Sequence, residues 1–313
     1  MRVLVTGGAG FVGSHVVQQA LALGFEVAVL DNLSSGKREN LPSGVELFLA
    51  DLRDREATFD VLRRFRPELV SHQAAQASVP TSVKDPKLDA EINIIGGINL
   101  LDACTADSSS VKHLVFASTG GAIYGEVPEG QRAGEDFALE PKSPYGISKL
   151  TFEKLLRVYR EQRGLASTVL RYANVYGPRQ DPHGEAGVVA IFFDSALAGQ
   201  PLTVFAMRRE GDGGCIRDYV YVGDVARANV AALQGKLPHA VLNVGTGSPT
   251  TTLQLAQQIT ALTGSRSPIG QGCVRAGDIE RSLLNASRFE SALGAPTPLE
   301  QGLAETARWY RER

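Results

Sequence analysis

Two patterns of apolar and polar positions alternate along the first half of the chain. Short apolar runs, typical of buried strands, are followed by longer stretches in which apolar residues recur at helical spacing. The predicted strands are Arg2–Thr6, Glu26–Leu30, Glu46–Leu49, Leu69–His72, His113–Ala117 and Ser167–Arg171, and the predicted helices are Phe11–Leu23, Glu56–Arg66, Pro86–Cys104 (broken only at Gly96-Gly97) and Ser143–Arg163. This alternation predicts an α/β fold, with a parallel sheet covered by helices on both faces.

The pattern changes after Gly177-Pro178-Arg179. Residues 178–217 hold many glycines, prolines and charged residues and few periodic segments, which predicts a loop-rich lobe. Further on, Asp224–Leu233 and Ala240–Val244 predict a helix and a strand that return to the sheet, and Leu299–Arg311 predicts a terminal helix. The predicted domains are therefore a nucleotide-binding domain of residues 1–177 with a returning segment at about 218–247, and a smaller substrate-binding lobe of 178–217 and 248–313.

Composition excludes several classes of protein. The 313 residues are 43% hydrophobic and 21% charged with a net charge of −2, so no basic excess indicates a nucleic-acid partner. No apolar run approaches the roughly 18 residues that span a membrane, and a strand from Arg2 leaves no room for a signal peptide, so we expect a cytoplasmic protein. The three cysteines and five histidines have no ligand spacing, and we expect reduced thiols and no metal.

A glycine-rich segment, Gly7-Gly8-Ala9-Gly10-Phe11-Val12-Gly13, lies between the first predicted strand and the first predicted helix. In that context it predicts a dinucleotide site, because small residues let the backbone approach a pyrophosphate at the positive end of the helix. Asp31 ends the second strand, 18 residues after Gly13. A carboxylate there accepts hydrogen bonds from the adenosine ribose and repels a 2′-phosphate, which favours NAD over NADP, although Lys37 and Arg38 weaken that inference.

Further candidate residues follow the third, fourth and fifth strands: Asp51-Leu52, Gln73-Ala74-Ala75 and Ala117-Ser118-Thr119-Gly120-Gly121. Because ligands of such sheets gather at the carboxyl ends of the strands, these segments are expected to converge on one site. Asp51 would meet the adenine. A hydroxyl of Ser118 or Thr119 could hydrogen-bond the reacting oxygen.

The candidate catalytic residues lie in the segment Tyr145-Gly-Ile-Ser-Lys149. Two residues four positions apart project from the same face of a helix. An ammonium near a tyrosine favours the phenolate, so the pair can remove a proton from a sugar or alcohol hydroxyl while a nicotinamide accepts the hydride.

Ordered motifs across nearly the whole chain resemble one known family. They are T-G-G-A-G-F-V-G-S-H (6–15), D-N-L (31–33), D-L-R (51–53), H-Q-A-A (72–75), N-x-x-G-G (93–97), Y-G-E (124–126), S-P-Y-G-I-S-K (143–149), R-Y-x-N-V-Y-G-P-R (171–179), R-D-Y-V-Y-V-x-D-V-A (217–226), N-V-G-T-G (243–247) and R-A-G-D (275–278). With these motifs the chain resembles the extended short-chain dehydrogenases/reductases, in particular the NAD-dependent epimerase/dehydratase family and, within it, the UDP-glucose 4-epimerases.

The resemblance implies a Rossmann-like doubly wound parallel sheet with a smaller, loop-rich α/β substrate-binding lobe. It also implies an isomerase that uses NAD to interconvert UDP-glucose and UDP-galactose through a transient 4-keto sugar. We further expect a homodimer, because helices Pro86–Cys104 and Ser143–Arg163 correspond to the pair that forms an intersubunit four-helix bundle in relatives.

The resemblance assigns roles to matched positions only. Tyr145 would be the catalytic base and acid, and Lys149 its electrostatic partner and a ligand of the nicotinamide ribose. The implied cofactor-binding residues are Gly7, Gly8, Gly10, Phe11, Val12, Gly13, Asp31, Asn32, Ser34, Gly36, Asp51, Leu52, Gln73, Ala74, Ala75, Asn93, Tyr145, Lys149 and Tyr172. The implied substrate-binding residues include Thr119, Tyr145, Val188 and Ser282. Asn174 and Arg217 would hold the nucleotide diphosphate, and Arg275 and Asp278 would lie at the phosphate and uridine-ribose end.

The sequence departs from the family pattern at two places. One extra residue separates Ser118-Thr119 from Tyr124, so either hydroxyl could be the working one, and we favour Thr119. Gln76-Ala77 stands where some epimerases have a lysine that contacts the cofactor.

Four other functions compete with 4-epimerisation of UDP-glucose. Nucleotide-sugar dehydratases and UDP-glucuronate decarboxylases carry a carboxylate after the catalytic threonine, and Gly120-Gly121-Ala122 offers none. UDP-glucuronate 4-epimerase stays an alternative. A non-catalytic NAD-binding sensor would keep the glycines and lose Tyr145 or Lys149, and this chain has both.

Overall fold

The computed structural model describes residues 1–182, 187–274 and 279–312. The chain forms two compact units, each built from several segments. The first contains Met1–Thr119, Ser143–Arg171 and Val225–Leu242, and the second contains Gly120–Lys142, Tyr172–Asp224 and the chain from Asn243 onward. The second unit thus includes residues 120–142, because this segment pairs its backbone with residues 281–283 of the same unit.

The first unit is built around a seven-stranded sheet. Its strands are β1 (Arg2–Thr6), β2 (Glu26–Asp31), β3 (Glu46–Leu49), β4 (Leu69–His72), β5 (His113–Thr119), β6 (Ala166–Tyr172) and β10 (Val241–Val244), in the order β10-β6-β5-β4-β1-β2-β3. β1 pairs in parallel with both β2 and β4, with Leu4 opposite Ala28 and Val70. Because the strand order reverses between β1 and β4, the carboxyl ends of these two strands flank the crevice of a doubly wound fold. The predicted fold class is confirmed.

Helices cover both faces of this sheet. They are α1 (Phe11–Ala22), α2 (Arg55–Phe65), α3 (Val79–Lys84), α4 (Pro86–Ala90), α5 (Gly96–Cys104), α7 (Pro144–Arg163) and α9 (Val222–Leu233), with a 3₁₀ turn at Arg38–Asn40. Val3, Leu4 and Val5 are all fully buried, which explains why β1 is a continuous apolar run. The core on one face joins Leu4 to Phe116 of β5 and Phe152 of α7.

The helix predicted over Pro86–Cys104 continues through Gly96-Gly97, so the expected break there is wrong. The distortion lies one turn earlier, where Glu91–Ile95 forms a π-helical turn between α4 and α5. Gly97 is needed for packing rather than for flexibility, because a Cβ at this position would collide with the ring of Phe152. The glycine lets α5 approach α7 closely.

The second unit contains shorter strands and five helices within its described residues. The strands are β7 (Asn174–Tyr176), β8 (Leu202–Phe205), β9 (Ile216–Tyr221), β11 (Pro249–Thr251), β12 (Ile269–Gly272) and β13 (Arg281–Ser282), and the helices are α6 (Gly120–Ile123), α8 (Val188–Leu197), α10 (Thr252–Thr263), α11 (Ser287–Leu293) and α12 (Leu299–Glu312). β9 is central, pairing with β7, β11 and β13, while β8 pairs with β12. Phe193, Leu255 and Leu303 are fully buried in the core of this unit.

Residues 178–217 are more regular than the composition suggests. They contain α8 and β8, although the sequence analysis expected few periodic segments there. The sequence of α8, VVAIFFDSAL, is apolar on nearly every side, so it lacks the amphipathic pattern by which a helix is recognised. Across the described ranges, no helix combines the length and the apolar character needed to cross a bilayer.

Candidate functional site

The glycine loop leads from β1 into α1 and is too crowded for side chains at several positions. Gly7 has φ +67°, and a Cβ there would lie 2.5 Å from the backbone nitrogen of Ala74. A Cβ at Gly8 would lie 2.6 Å from Val29, and one at Gly13 would collide with the carbonyl oxygen of Gly7. α1 then starts at Phe11 with no acidic residue in its first turn. Its positive end and the bare backbone fit a pyrophosphate, as expected for NAD.

Asp31 closes β2 and holds the glycine loop in place. Its carboxylate accepts hydrogen bonds from the backbone N–H of Ala9 at 2.9 Å and of Leu33 at 2.8 Å. Burial raises the pKa of this carboxyl, and the two N–H donors oppose that rise. Gly36 comes close to the same place, where a Cβ would lie 3.0 Å from both Ala9 and the Asp31 carboxylate. The loop after β2 therefore packs on the glycine loop with Asp31 between them.

The loop after β3 carries a second fixed carboxylate. Asp51 accepts hydrogen bonds from the guanidinium of Arg53 at 2.8 and 3.0 Å and from the Asn32 amide at 2.8 Å. The Arg53 guanidinium holds the pKa of this carboxyl well below its usual range. Asn32 also accepts from the backbone N–H of Ser34 at 3.0 Å. The predicted adenine end of the site is thus an ordered polar rim, with Leu52 buried beside it.

Small residues follow β4, where the sheet order reverses. The backbone N–H of Ala74 faces the Thr6 hydroxyl at 3.3 Å. The Gln73 amide donates to Ser71 and to Asn229 of α9, both at 2.9 Å, so this side chain is turned into the first unit. Ala74 and Ala75 leave the backbone accessible beside the glycine loop. Their position agrees with a cofactor that runs across the crevice.

The Tyr145 and Lys149 side chains lie on the first turns of α7. Ser143 caps this helix by accepting from the N–H of Gly146 at 3.2 Å, and Pro144 occupies the first turn. The Lys149 ammonium lies 5.9 Å from the centre of the Tyr145 ring and 4.9 Å from that of Phe116, and it donates to the carbonyl of Ala117 at 2.9 Å. Burial lowers the pKa of Lys149 to about 8, an effect that the charges of Asp89 and Glu153 oppose.

Ser118 and Thr119 end β5 and differ in what engages them. The Ser118 hydroxyl donates to Glu153 at 2.5 Å. Glu153 also accepts two hydrogen bonds from Arg171, at 2.7 and 3.1 Å, in an ion pair whose side chains are 7% and 5% exposed. Within the described part of the chain, no hydrogen bond engages the Thr119 hydroxyl. The Ser118 hydroxyl is therefore engaged in a buried network, and the Thr119 hydroxyl is not.

Asn93 joins three segments near the Tyr145–Lys149 turn. Its amide donates to the carbonyl of Gln76 at 3.0 Å, to Asp89 at 3.1 Å and to the Ser148 hydroxyl at 3.1 Å, and its oxygen accepts from the N–H of Gln76 at 2.9 Å. Asn93 lies in the π turn, a distortion that is frequent at functional sites. Its side chain thus forms hydrogen bonds with groups of the protein itself, and these bonds hold the loop after β4 against α7.

The second unit carries the other predicted substrate residues that the structure describes. Arg217 on β9 donates to the backbone carbonyls of Ile216, Ile279 and Glu280 at 3.0, 2.6 and 3.2 Å. Ser282 on β13 is paired with Arg217 in register, and its hydroxyl lies 3.4 Å from the carbonyl of Gly121. Asn174, Val188 and Tyr172 fall at the start of β7, at the start of α8 and at the end of β6. Arg275 and Asp278 lie outside the described residues.

Three buried charged residues of the first unit were missed by the sequence analysis: Asp89, Glu153 and Arg171. Glu153 and Arg171 are 18 positions apart on different elements, so no local pattern connects them. Asp89 looks like an ordinary acidic residue in the first turn of a helix, yet it is only 1% exposed. Burial of a charged residue is the signal that marks all three, and it needs a structure.

Comparison with known proteins places this arrangement in a family. The NAD dependent epimerase/dehydratase family model matches residues 3–245. The UDP-glucose 4-epimerase of Mycolicibacterium smegmatis is 42% identical over 320 residues, which cover 100% of this chain and 99% of that protein.

Two solved structures are similar over their whole length. The Thermus thermophilus UDP-glucose 4-epimerase in complex with NAD has a TM-score of 0.94 and 53% identity, covering 99% of both chains. The Thermotoga maritima UDP-glucose 4-epimerase with UDP-glucose has a TM-score of 0.91 and 44% identity, covering 100% of this chain and 99% of that one. The chain belongs to the NAD-dependent epimerase/dehydratase family.

Proposed function

We propose that this protein is an isomerase that inverts C4 of a UDP-hexose, interconverting UDP-glucose and UDP-galactose with NAD as a retained cofactor. The observation that carries the proposal is the Tyr145–Lys149 pair on α7, in the same unit as a glycine loop shaped for a dinucleotide. The full-length similarity to UDP-glucose 4-epimerases supports the same reaction.

In this proposal the first unit holds NAD. The N–H groups at the start of α1 bind the pyrophosphate, Asp31 binds the adenosine ribose, and the loop of Asn32 and Asp51 borders the adenine. Lys149 binds the nicotinamide ribose. The chemistry that bound NAD supplies is reversible hydride acceptance from C4 of the sugar.

Tyr145 moves the proton that accompanies this hydride. Its phenolate removes the proton of the sugar 4-hydroxyl and returns it after the sugar has turned over. The Lys149 ammonium favours the phenolate by its charge, because a positive group near a tyrosine stabilises the ionised form. The Thr119 hydroxyl hydrogen-bonds the reacting oxygen, a role for which Ser118 is unsuited because it donates to Glu153.

Binding of the nucleotide is assigned to residues of the second unit. Arg217 is a permanent cation whose planar guanidinium suits a diphosphate. It lies against backbone carbonyls. A phosphate would offer it a charged acceptor in place of neutral ones. Asn174 and Val188 complete the described part of this assignment.

A homodimer is part of the proposal. Three apolar side chains on the helices expected to pair are exposed to solvent in the single chain: Ile95 of the π turn at 51%, Ile147 of α7 at 52% and Val158 of α7 at 38%. An isologous four-helix contact between two copies would bury them.

The direct test is an assay of purified protein without added cofactor. Its substrates are UDP-glucose, UDP-galactose, the N-acetylhexosamine forms of these two sugars, and UDP-glucuronate. Interconversion of UDP-glucose and UDP-galactose is the expected result. Turnover of UDP-glucuronate alone would favour the uronate 4-epimerase. Bound NAD with no turnover of any sugar would indicate a sensor and contradict the proposal.

A further inference from the structure

We propose that Asp89 is a positioning residue of the reaction: through Asn93 and Ser148 it fixes the helical turn that carries Tyr145, and its buried negative charge acts on Lys149. This inference rests on the proposed function, since it assigns Lys149 and Tyr145 their catalytic roles. Asp89 itself touches neither substrate nor cofactor in this proposal.

Asp89 is a buried carboxylate that forms no direct ion pair with any described residue. It is 1% exposed, and its Oδ1 accepts from the amide of Gln76 at 2.8 Å and from that of Asn93 at 3.1 Å. Both donors are neutral. A buried carboxylate is costly unless an opposite charge or several hydrogen bonds compensate it, so such a group is retained for a reason.

A chain of hydrogen bonds leads from Asp89 to the catalytic turn. Asn93 donates to Asp89 and also to the Ser148 hydroxyl, which donates to the carbonyl oxygen of Tyr145 at 2.9 Å. Ser148 is the neighbour of Lys149. The orientation of the first turns of α7 is thus tied to the position of the Asp89 carboxylate.

Among the described charged groups around Lys149, Asp89 is the carboxylate whose charge is not neutralised by another cation. Glu153 of α7 is paired with Arg171 of β6, so its charge is largely neutralised. His72 of β4 is neutral, because burial and the Lys149 charge lower its pKa to about 3. β5 contributes the Ala117 carbonyl and the Phe116 ring, and Tyr145 lies on the same helix as Lys149. Within the described residues, Asp89 is the remaining charged group that acts on the ammonium.

The sign of the effect follows from this arrangement. Burial lowers the pKa of Lys149, and Asp89 opposes that fall. Without the Asp89 charge, the ammonium would lose its proton at a lower pH, and Tyr145 would lose the positive charge that favours its phenolate. The activity should then decline earlier on the alkaline side.

Gln76 has a part in the same arrangement. It stands where some epimerases have a lysine, and its amide donates to Asp89 and to the carbonyl of Ser78, while its oxygen accepts from the N–H of Ser78 at 2.6 Å. A lysine at this position would offer Asp89 a nearby cation. With glutamine, the charge of Asp89 is left to act on Lys149.

The test is the pH profile of Asp89→Asn, which keeps an acceptor for both amides and removes the charge. We expect the alkaline limb of kcat to move to lower pH by about 0.5 to 1 unit, with the NAD content and the KM for the UDP-sugar unchanged. The matched control is Glu91→Gln in the adjoining π turn, whose side chain is 42% exposed and pairs with Lys87. Its profile should equal that of the parent. Identical profiles for the parent and Asp89→Asn would overturn the inference.

A second readout separates this inference from the proposed function. The titration of Lys149, followed by NMR of its labelled side chain and assigned by the signal missing in Lys149→Met, needs no activity. It should shift to lower pH in Asp89→Asn and stay unchanged in Glu91→Gln. A parent that turns over no UDP-sugar contradicts the proposed function, whereas an unshifted Lys149 titration contradicts the role of Asp89.

If Asp89→Asn fails to fold, Asp89→Asn/Lys149→Met decides the question. If the single variant fails to fold because Lys149 has lost its counter-charge, removal of both charges should restore a cooperative thermal transition. A double variant that fails as the single variant does would contradict the inference.

Discussion

Asp31 accepts hydrogen bonds from the backbone N–H groups of Ala9 and Leu33, and we propose that its charge also opposes a 2′-phosphate. Asp31→Ala should therefore weaken NAD binding and shift the NADP-to-NAD affinity ratio toward NADP by about tenfold, or 1.4 kcal/mol. Titration calorimetry with both cofactors measures this ratio. Glu39→Ala, which changes an exposed carboxylate of the same loop, serves as the control and should leave the ratio unchanged. NADP bound to the protein as purified would show that Asp31 does not select the cofactor.

We expect Ser282 to set the size of the sugar pocket. The resemblance to UDP-hexose epimerases implies that the residue seven positions after the arginine of the R-x-G-D motif borders the sugar near C2, where a large aromatic side chain tends to exclude an N-acetyl group. Here that position is a serine, 3% exposed and near the carbonyl of Gly121. We expect activity on UDP-N-acetylglucosamine as well as on UDP-glucose.

Ser282→Tyr should then depress the N-acetyl activity selectively, measured as the ratio of kcat/KM for the two substrates. Ser282→Ala keeps the small size and should preserve the ratio. An equal loss on both substrates in Ser282→Tyr, or no N-acetyl activity in the parent, would exclude Ser282 as the residue that sets the size limit.

At the scale of elements, the contact between α5 and α7 depends on one glycine. A Cβ at Gly97 would collide with the Phe152 ring, and the two helices pack directly over β5. Gly97→Ala should lower the free energy of unfolding by about 1 to 3 kcal/mol, as overpacked cores do. Urea denaturation measures the change. Gly134→Ala is the control, because a Cβ there has no neighbour within 4 Å and should be tolerated. Equal stability of Gly97→Ala and the parent would mean that the helices can separate at no cost.

Elements with strong local patterns could be predicted from the sequence. β1, β3 and β4 have the predicted bounds, and α7 begins one residue after its predicted start because Ser143 is its cap. The π turn at Glu91–Ile95 could not be predicted, since the helical spacing of the sequence continues through it. α8 was missed because it is apolar on nearly all sides.

The residues of the candidate site likewise fall into those that a local pattern marks and those that it does not. Residues in motifs, such as Gly7, Tyr145 and Lys149, could be named from the sequence because their chemistry requires a fixed local spacing. Asp89 and the pair of Glu153 and Arg171 could not, because their partners come from other elements and their significance lies in their burial. The sequence already favoured Thr119 over Ser118, and the hydrogen bond from Ser118 to Glu153 supports that preference.

At the scale of the whole molecule, we expect the exposed side chains of Ile95 and Ile147 to be covered by a second copy of the chain. The parent should have about twice the 33.4 kDa mass of the chain in light scattering at micromolar concentration. Ile95→Asp/Ile147→Asp should dissociate it, because a charge cannot be buried in an apolar contact without a partner. Leu23→Asp/Leu49→Asp changes two exposed apolar residues outside these helices and should leave the mass unchanged. A parent of monomer mass would contradict the dimer.

We propose that Tyr145 carries the proton transfer of this NAD-dependent epimerase, and Tyr145→Phe removes the hydroxyl on which that step depends. The measurement is turnover of UDP-glucose to UDP-galactose together with the NAD content of the purified protein. Tyr159→Phe on the same helix removes a hydroxyl that donates to Asp102 and is the matched control. We predict that Tyr145→Phe keeps its NAD and loses about 10²- to 10⁴-fold in kcat, while Tyr159→Phe stays close to the parent. A Tyr145→Phe variant that keeps more than about a tenth of the parent activity would contradict the account.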